Sequence, residues 1–155
     1  MKKLNLGCGK YPIKGFINCD IRKLQGVDKV FDLEKFPYPF ESNSIDFIYM
    51  HSSFEHILFP ERALNEMYRI CKKDTIIHLN VPYYNCAGSF NDLTHYHYFN
   101  KRTFFRFCEQ DTRFEVIDIK LNPMFYAKYL PFKELFSFFI GNIIRDMDVK
   151  LKIKR

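Results

Sequence analysis

Leu4-Asn5-Leu6-Gly7-Cys8-Gly9 is the stretch on which the reading of this chain turns. Leu4 and Leu6 alternate with polar neighbours, the period of a short strand, and the run stops at Gly7. Glycines at 7 and 9 permit backbone angles that other residues resist. They also leave amide N–H groups facing outward, where a carboxylate or phosphate can be held. Alone, a G-x-G after a strand describes a plain tight turn equally well.

The segments that follow sharpen it. Phe16-Ile17-Asn18-Cys19-Asp20 and Asp28-Lys29-Val30-Phe31-Asp32 read as two more strands, each ending on an aspartate. A carboxylate at the end of the second strand can accept two hydrogen bonds from a ribose diol. Asp32 could accept from an adenine amino group, with Leu33 against the ring. Either aspartate taken singly could instead be a turn or capping residue. Leu33 to Ser44 is a Pro-containing loop, and Ile45 to Met50 a strand that runs into His51-Ser52-Ser53-Phe54-Glu55-His56.

Residues 60–73 predict a helix: Pro60 suits its first position, Glu61 its first turn, and Lys72 and Lys73 its last. Ala63, Leu64, Met67, Ile70 and Cys71 recur at helical spacing. Thr75 to Val81 is a strand halted by Pro82. Asn100 caps a helix through Gln110 packed by Phe104, Phe105 and Cys108, and Phe114 to Ile119 alternates as a further strand. The pattern implies an α/β, Rossmann-like fold with a mainly parallel sheet. Such sheets bind ligands beyond the carboxyl ends of their strands, so the candidate site comprises Gly7 to Gly9, Asp20, Asp32 and His51 to Ser53.

In this order and spacing the chain resembles the class I S-adenosylmethionine-dependent methyltransferases, most of all their small type 11 members. The resemblance rests on the glycine segment, on Gly15 to Asp20, and on Asp32-Leu33-Glu34 with Phe36-Pro37-Tyr38-Pro39-Phe40. It continues through Ser44 to Tyr49, Phe54-Glu55-His56-Ile57, Leu64 to Lys72, and Ile77 to Pro82. It covers about residues 3–120. It implies that Gly7, Cys8 and Gly9 approach the methionine moiety of S-adenosylmethionine and that Asp20, with Ile21, holds the ribose. Asp32 and Leu33 would then flank the adenine, with His51 and Ser52 near the sulfonium.

The chain departs from that family in its crossovers. Few residues separate Gly9 from Phe16, and fewer separate Ile21 from Val27, whereas a parallel crossover normally needs a dozen or more. The first two helices are therefore expected to be shortened or lost, leaving one sheet face thinly covered. The aromatic run from Met124-Phe125-Tyr126 through Phe136, Phe138 and Phe139 is expected to cover it, unless a second subunit of a homodimer does. Residues 1–120 would form the core, and residues 121–155 an aromatic and basic segment packing on the same domain.

A general base is needed only if the acceptor must lose a proton. Candidates are His51, His95 and His97, the last two sharing a face in extended backbone. His95 and His97 could act as base or substrate contact, make ordinary structural hydrogen bonds, or form a metal pair with Asp92. No metal is expected on this pattern. The acceptor cannot be named; the family analogy suggests a small molecule or glycan. A nicotinamide-dependent oxidoreductase is disfavoured because Pro12 replaces the third glycine of G-x-G-x-x-G. A non-catalytic S-adenosylmethionine-binding or interaction module is the main alternative.

Composition narrows the classes further. The 155 residues are 47% hydrophobic and 27% charged, with a net charge of +6. The positive charge gathers in residues 120–155, which would stay solvated or make weak contact with an anionic surface. There is no nucleic-acid motif. Five dispersed cysteines without C-x-x-C spacing favour reduced thiols and a cytoplasmic protein. The N-terminus does not read as a signal peptide, and Met124 to Ile144 is too interrupted by charge and proline to span a membrane.

Overall fold

The computed structural model describes residues 1–155. Lys3–Leu6 (β1), Ile17–Asp20 (β2), Lys29–Val30 (β3), Ile45–His51 (β4) and Cys71–Pro82 (β5) form a parallel set. Phe114–Pro123 (β6) and Ile144–Ile153 (β7) complete one seven-stranded sheet in the order β3-β2-β1-β4-β5-β7-β6. β7 inserts between β5 and β6 and is antiparallel to both. The helices are Pro60–Ile70 (α1), Lys101–Gln110 (α2) and the short Lys133–Phe139 (α3). No helix is long and apolar enough to cross a membrane.

Neither crossover between the first three strands contains a helix. The expectation of shortened helices is thus met in its extreme form. Side chains alternate across a strand, so a missing layer on one side has a visible consequence. Leu4, Leu6, Cys19, Ile48, Met50, Ile77, Leu79, Val149 and Leu151 occupy one face and are all buried. Beneath them α1 contributes Ala63, Leu64, Met67 and Ile70, and α2 contributes Phe104.

The opposite face carries Asn5, Asn18, Tyr49, His51, His78, Asn80, Asp146 and Asp148 instead. Most of its polar groups pair with one another, although Asn80 Oδ1 has no partner. Asn5 Nδ2 donates to Asn18 Oδ1 at 3.0 Å, and Asn18 Oδ1 also accepts from the Ile13 N–H at 2.7 Å. These amides hold the Lys10–Phe16 loop where a helix would otherwise pack. Farther along, Asn80 donates to Asp146 and Asp148, Asn122 donates to the same pair, and His78 Nε2 lies 3.0 Å from Asp148.

Asp148 links this network to pH. Burial would raise its carboxyl, but the amides of Asn122 and Asn80 and the His78 ring hold it below its ordinary value. The stability it contributes is present above the unfolded pKa of about 3.9 and is lost as pH falls through the depressed folded value. Asp148→Asn should therefore make acid unfolding, followed by far-ultraviolet circular dichroism, shallower below about pH 4. An unchanged acid limb would remove Asp148 from the groups that set it.

Several expectations require correction. The aromatic segment does not cover the β1–β2–β3 face. It packs beside β7 and α2, where Asn85 Nδ2 donates to the Ser137 carbonyl and Lys101 pairs with Glu134. Phe125 and Phe139 are more than four-fifths exposed. The boundary drawn at residue 120 falls inside β6. The basic end is no solvated tail, because it forms β7, with Ile144, Met147, Val149, Leu151 and Ile153 fully buried. Lys150 pairs with Asp118, Lys152 with Asp74, and the Arg155 guanidinium lies over the Tyr68 ring.

α1 starts at Pro60 as its sequence dictates but ends at Ile70. Cys71 passes directly into β5, so Lys72 and Lys73 are strand residues, and Lys72 pairs with Asp46. Asn100 caps α2 by accepting from the Thr103 N–H, as anticipated. Phe104 and Cys108 pack on the core as expected, but Phe105 is about half exposed and Phe107 takes its place.

Candidate functional site

The crevice lies at the carboxyl ends of β1, β2 and β4. Gly7 and Gly9 both adopt left-handed angles, with φ of 68° and 52°. A Cβ on Gly7 would sit 2.6 Å from Cβ of Ser53, so this glycine also lets the loop after β4 close against the loop after β1. Ser53 Oγ donates to the Leu6 carbonyl at 3.2 Å and fastens that contact. A Cβ on Gly9 would meet only Arg22 Nη2 at 3.7 Å, so its backbone can be approached from the crevice.

Asp20 ties the glycine loop to β2. Its Oδ2 accepts from the Gly9 N–H at 2.8 Å, and its Oδ1 accepts from the Arg22 N–H at 2.9 Å and from the Arg22 guanidinium at 3.2 Å. Burial pushes this carboxyl up, but the Arg22 and Gly9 N–H groups and the guanidinium outweigh it and hold it below its usual range. A carboxylate has about four acceptor positions, so one facing a ligand diol remains open.

Two hollows flank the loop. One, of about 710 Å³, is lined by Gly7, Asp20, Ile21, Asp32, Leu33 and Ser52 among others. The second, of about 750 Å³, is lined by Asn5, Gly7, Cys8, Gly9, Tyr11 and His51 and shares Arg22 and Ser52 with the first. It opens onto the polar sheet face, in the space left by the missing first helix. Asp32 lies in the turn beyond β3, where its Oδ1 accepts from the Glu34 N–H. Ser52 holds a left-handed angle, φ 44°, rare for a residue with a side chain.

The proline-containing loop that backs the first hollow is pinned to α1. Glu66 accepts from the Tyr38 N–H, and Arg69 donates to the Tyr38 and Phe40 carbonyls and to Glu66 itself. Tyr38 is buried, and its hydroxyl donates to the Leu33 carbonyl. The wall next to Leu33 is therefore set by a helix on the far side of the loop.

The expected histidines separate. His51 lines the second hollow, exposed, with Nδ1 3.4 Å from the Tyr49 hydroxyl. His95 and His97 do share a side of their segment, but that side faces away from both hollows. The alternate residues Asp92, Thr94 and Tyr96 line the first hollow, together with His56. His95 Nδ1 lies 2.9 Å from the Ser89 carbonyl, and His97 Nε2 lies 3.2 Å from the Leu58 carbonyl. Behind His56, burial pushes the Glu55 carboxyl up to about 7, against its own N–H and His95.

Sequence reasoning missed Arg22, which borders both hollows, and Tyr11 and Tyr49 in the second. Arg22 follows Asp20 by two residues, the spacing at which a carboxylate and the next turn's donors meet. That was the available signal for it.

A family model described as a methyltransferase domain matches residues 12–79. That match spans less than half of the chain, so it marks a likeness to methyltransferase domains over these residues. No curated protein matches it. Among solved structures it is similar to a SAM-dependent methyltransferase from Archaeoglobus fulgidus (TM-score 0.71, 18% identity, covering 97% of this chain and 85% of that one). It is also similar to the YcgJ protein from Bacillus subtilis (TM-score 0.69, 14% identity, 99% and 92% covered). A third match is a complex of the Haloferax volcanii Trm112 methyltransferase activator with a methyltransferase (TM-score 0.64, 13% identity, 98% and 81% covered). At such identities the three likenesses establish the fold of this chain and nothing about its acceptor.

The residues around the crevice fit S-adenosylmethionine. The Gly9 main chain stays open to the crevice, and the Asp20 carboxylate, which lines the first hollow, is held in its ionised form beside it.

Proposed function

We propose that the crevice binds S-adenosylmethionine along Gly7-Cys8-Gly9 and presents its methyl group to an acceptor entering past Ser52. When bound, this cofactor supplies a methyl on a sulfonium, a good leaving group for in-line displacement. Gly7 and Gly9 bring main chain close to the methionine moiety. Asp20 accepts from the ribose hydroxyls, beside Ile21. Asp32 and Leu33 border the adenine, while His51 and Ser52 form the mouth between the two hollows. The observation that carries this reading is the convergence of Gly7, Asp20 and Asp32, from the ends of three neighbouring strands, on connected hollows.

Catalysis then comes mainly from alignment, which in model reactions reaches effective molarities of about 10⁵–10⁸ M. We assign any proton acceptance to His51, which is exposed at the mouth, and a loop-holding role to His95 and His97. The Asp92, Thr94 and Tyr96 wall offers a carboxylate and two hydroxyls, which supports a small hydroxylated acceptor such as a sugar. The five unpaired cysteines support a cytoplasmic setting. Self-association would use the exposed aromatics near Phe125, Phe132 and Phe139. Light scattering that shows a monomer at every concentration would remove that surface.

The deciding experiment incubates the chain with cofactor labelled in its methyl group and with fractionated cell extract. Label should move into one fraction only when intact protein is present. A protein that binds the cofactor but labels no fraction would instead favour a non-catalytic binding module.

A further inference from the structure

Glu55, His56 and His95 meet behind the crevice, each offering one ligand atom, all within 4.8 Å of one another. Glu55 is 1% exposed, and neither of its carboxylate oxygens has a hydrogen-bond donor. A buried carboxylate left in this state is costly unless a proton or a cation joins it.

The two imidazoles do not supply a donor. His95 Nδ1 lies 2.9 Å from the Ser89 carbonyl, which can only accept. Nδ1 therefore carries a proton, and Nε2 is the ring nitrogen turned toward Glu55, 3.9 Å from its Oε1. His56 Nδ1 meets the Thr94 carbonyl at 3.2 Å and Thr94 Oγ1 at 2.8 Å, which again puts the proton on Nδ1. Thr94 Oγ1 in turn donates to Asp92 Oδ1 at 2.7 Å. With Nδ1 of each ring committed to a carbonyl, Nε2 is left to serve as a ligand atom, and Glu55 adds two oxygens that have no hydrogen-bond partner. An imidazole held through Nδ1–H by a backbone carbonyl is also the outer support typical of metal ligands.

We propose that Glu55, His56 and His95 form a binding site for one divalent transition-metal cation of the zinc type. Two imidazoles and one carboxylate suit zinc, cobalt or ferrous iron rather than calcium or magnesium, which prefer oxygen alone. Metal–ligand bonds of about 2.0–2.2 Å would draw the three groups roughly 1 Å closer together. Three protein ligands leave a coordination position open. Of the three, only His56 lines the first hollow, with Asp92 and Thr94 beside it, so the site lies just behind that wall and the open position would take a water. The site stands independently of the cofactor reading.

The test uses the full chain, stripped with a chelator and free of S-adenosylmethionine. Zinc is titrated by calorimetry, and cobalt by its visible d–d absorption. One equivalent should bind, and His56→Ala and His95→Ala should each weaken it about 100-fold. Glu55→Gln should do the same. Because Glu55 is buried and its variant could fail to fold, the His56→Ala result, at a half-exposed position, carries the test alone if necessary. Asp20→Ala should bind metal like the wild type. No heat at millimolar zinc, or binding unchanged in both histidine variants, would overturn the proposal. Failure to bind S-adenosylmethionine with zinc binding intact would sink the cofactor reading and leave this one standing.

Discussion

Asp20→Ala weakens S-adenosylmethionine binding about 10- to 100-fold while leaving the fold in place. The expectation follows from two losses at one position. A hydrogen bond to a charged group contributes about 1.5–3 kcal/mol, so losing the one acceptor position left open for a ribose hydroxyl costs roughly that much binding. The same carboxylate holds the Gly9 and Arg22 N–H groups, so the alanine variant also loosens the loop that meets the methionine moiety. Asp20→Asn separates the contributions, because it keeps an acceptor oxygen but loses the charge. Its affinity should fall between wild type and alanine. Calorimetry reads all three proteins, and equal dissociation constants for wild type and Asp20→Ala would remove this residue from the site.

Gly7→Ala should damage stability and binding together. The new Cβ would meet Ser53 Cβ at 2.6 Å, with the backbone held at a φ of 68°. Left-handed strain costs about 1–3 kcal/mol and overpacking about the same, so a loss near 3 kcal/mol is expected. For a chain of this size that lowers the melting temperature by about 10 °C. Adding Ser53→Gly to Gly7→Ala removes the clash but not the strained angle, so about half of the loss should return. A melting temperature within about 1 °C of wild type for Gly7→Ala would show that the two loops do not close as described.

Much of this arrangement could be read from the sequence because its signals are local. The alternation at Leu4 and Leu6, the glycines after it, and the aspartates at 20 and 32 each mark a strand end by their own chemistry. Chain length between them was equally informative, since residues 10–16 and 21–28 are too few for a crossover helix. What length could not tell was how the bare face would be satisfied. The answer lies in cross-strand pairs such as Asn5 with Asn18 and Asn80 with Asp148, which depend on register.

β7 is a different case, because its signal was present. Met147, Val149, Leu151 and Ile153 alternate with Asp148, Lys150 and Lys152, the pattern of a half-buried strand. Counting lysines obscured it, although lysines on the solvent side of a strand are ordinary. At His95 and His97 the period was right and the phase could not be known. Extended backbone puts alternate residues on opposite sides, and only the packing of Glu55 behind the loop decides which side meets the crevice. α1 lost its last turn for a similar reason: Cys71 pairs with Ile45 across the sheet, and that register ends the helix.

The central claim is that the crevice around Gly7, Asp20 and Asp32 recognises S-adenosylmethionine. Titrating the wild-type chain calorimetrically with S-adenosylmethionine, and separately with NAD⁺, tests it most directly. Saturable binding of one S-adenosylmethionine per chain, with no heat from NAD⁺, is the predicted result. No detectable S-adenosylmethionine binding at millimolar concentration, or equal binding of NAD⁺, would contradict it.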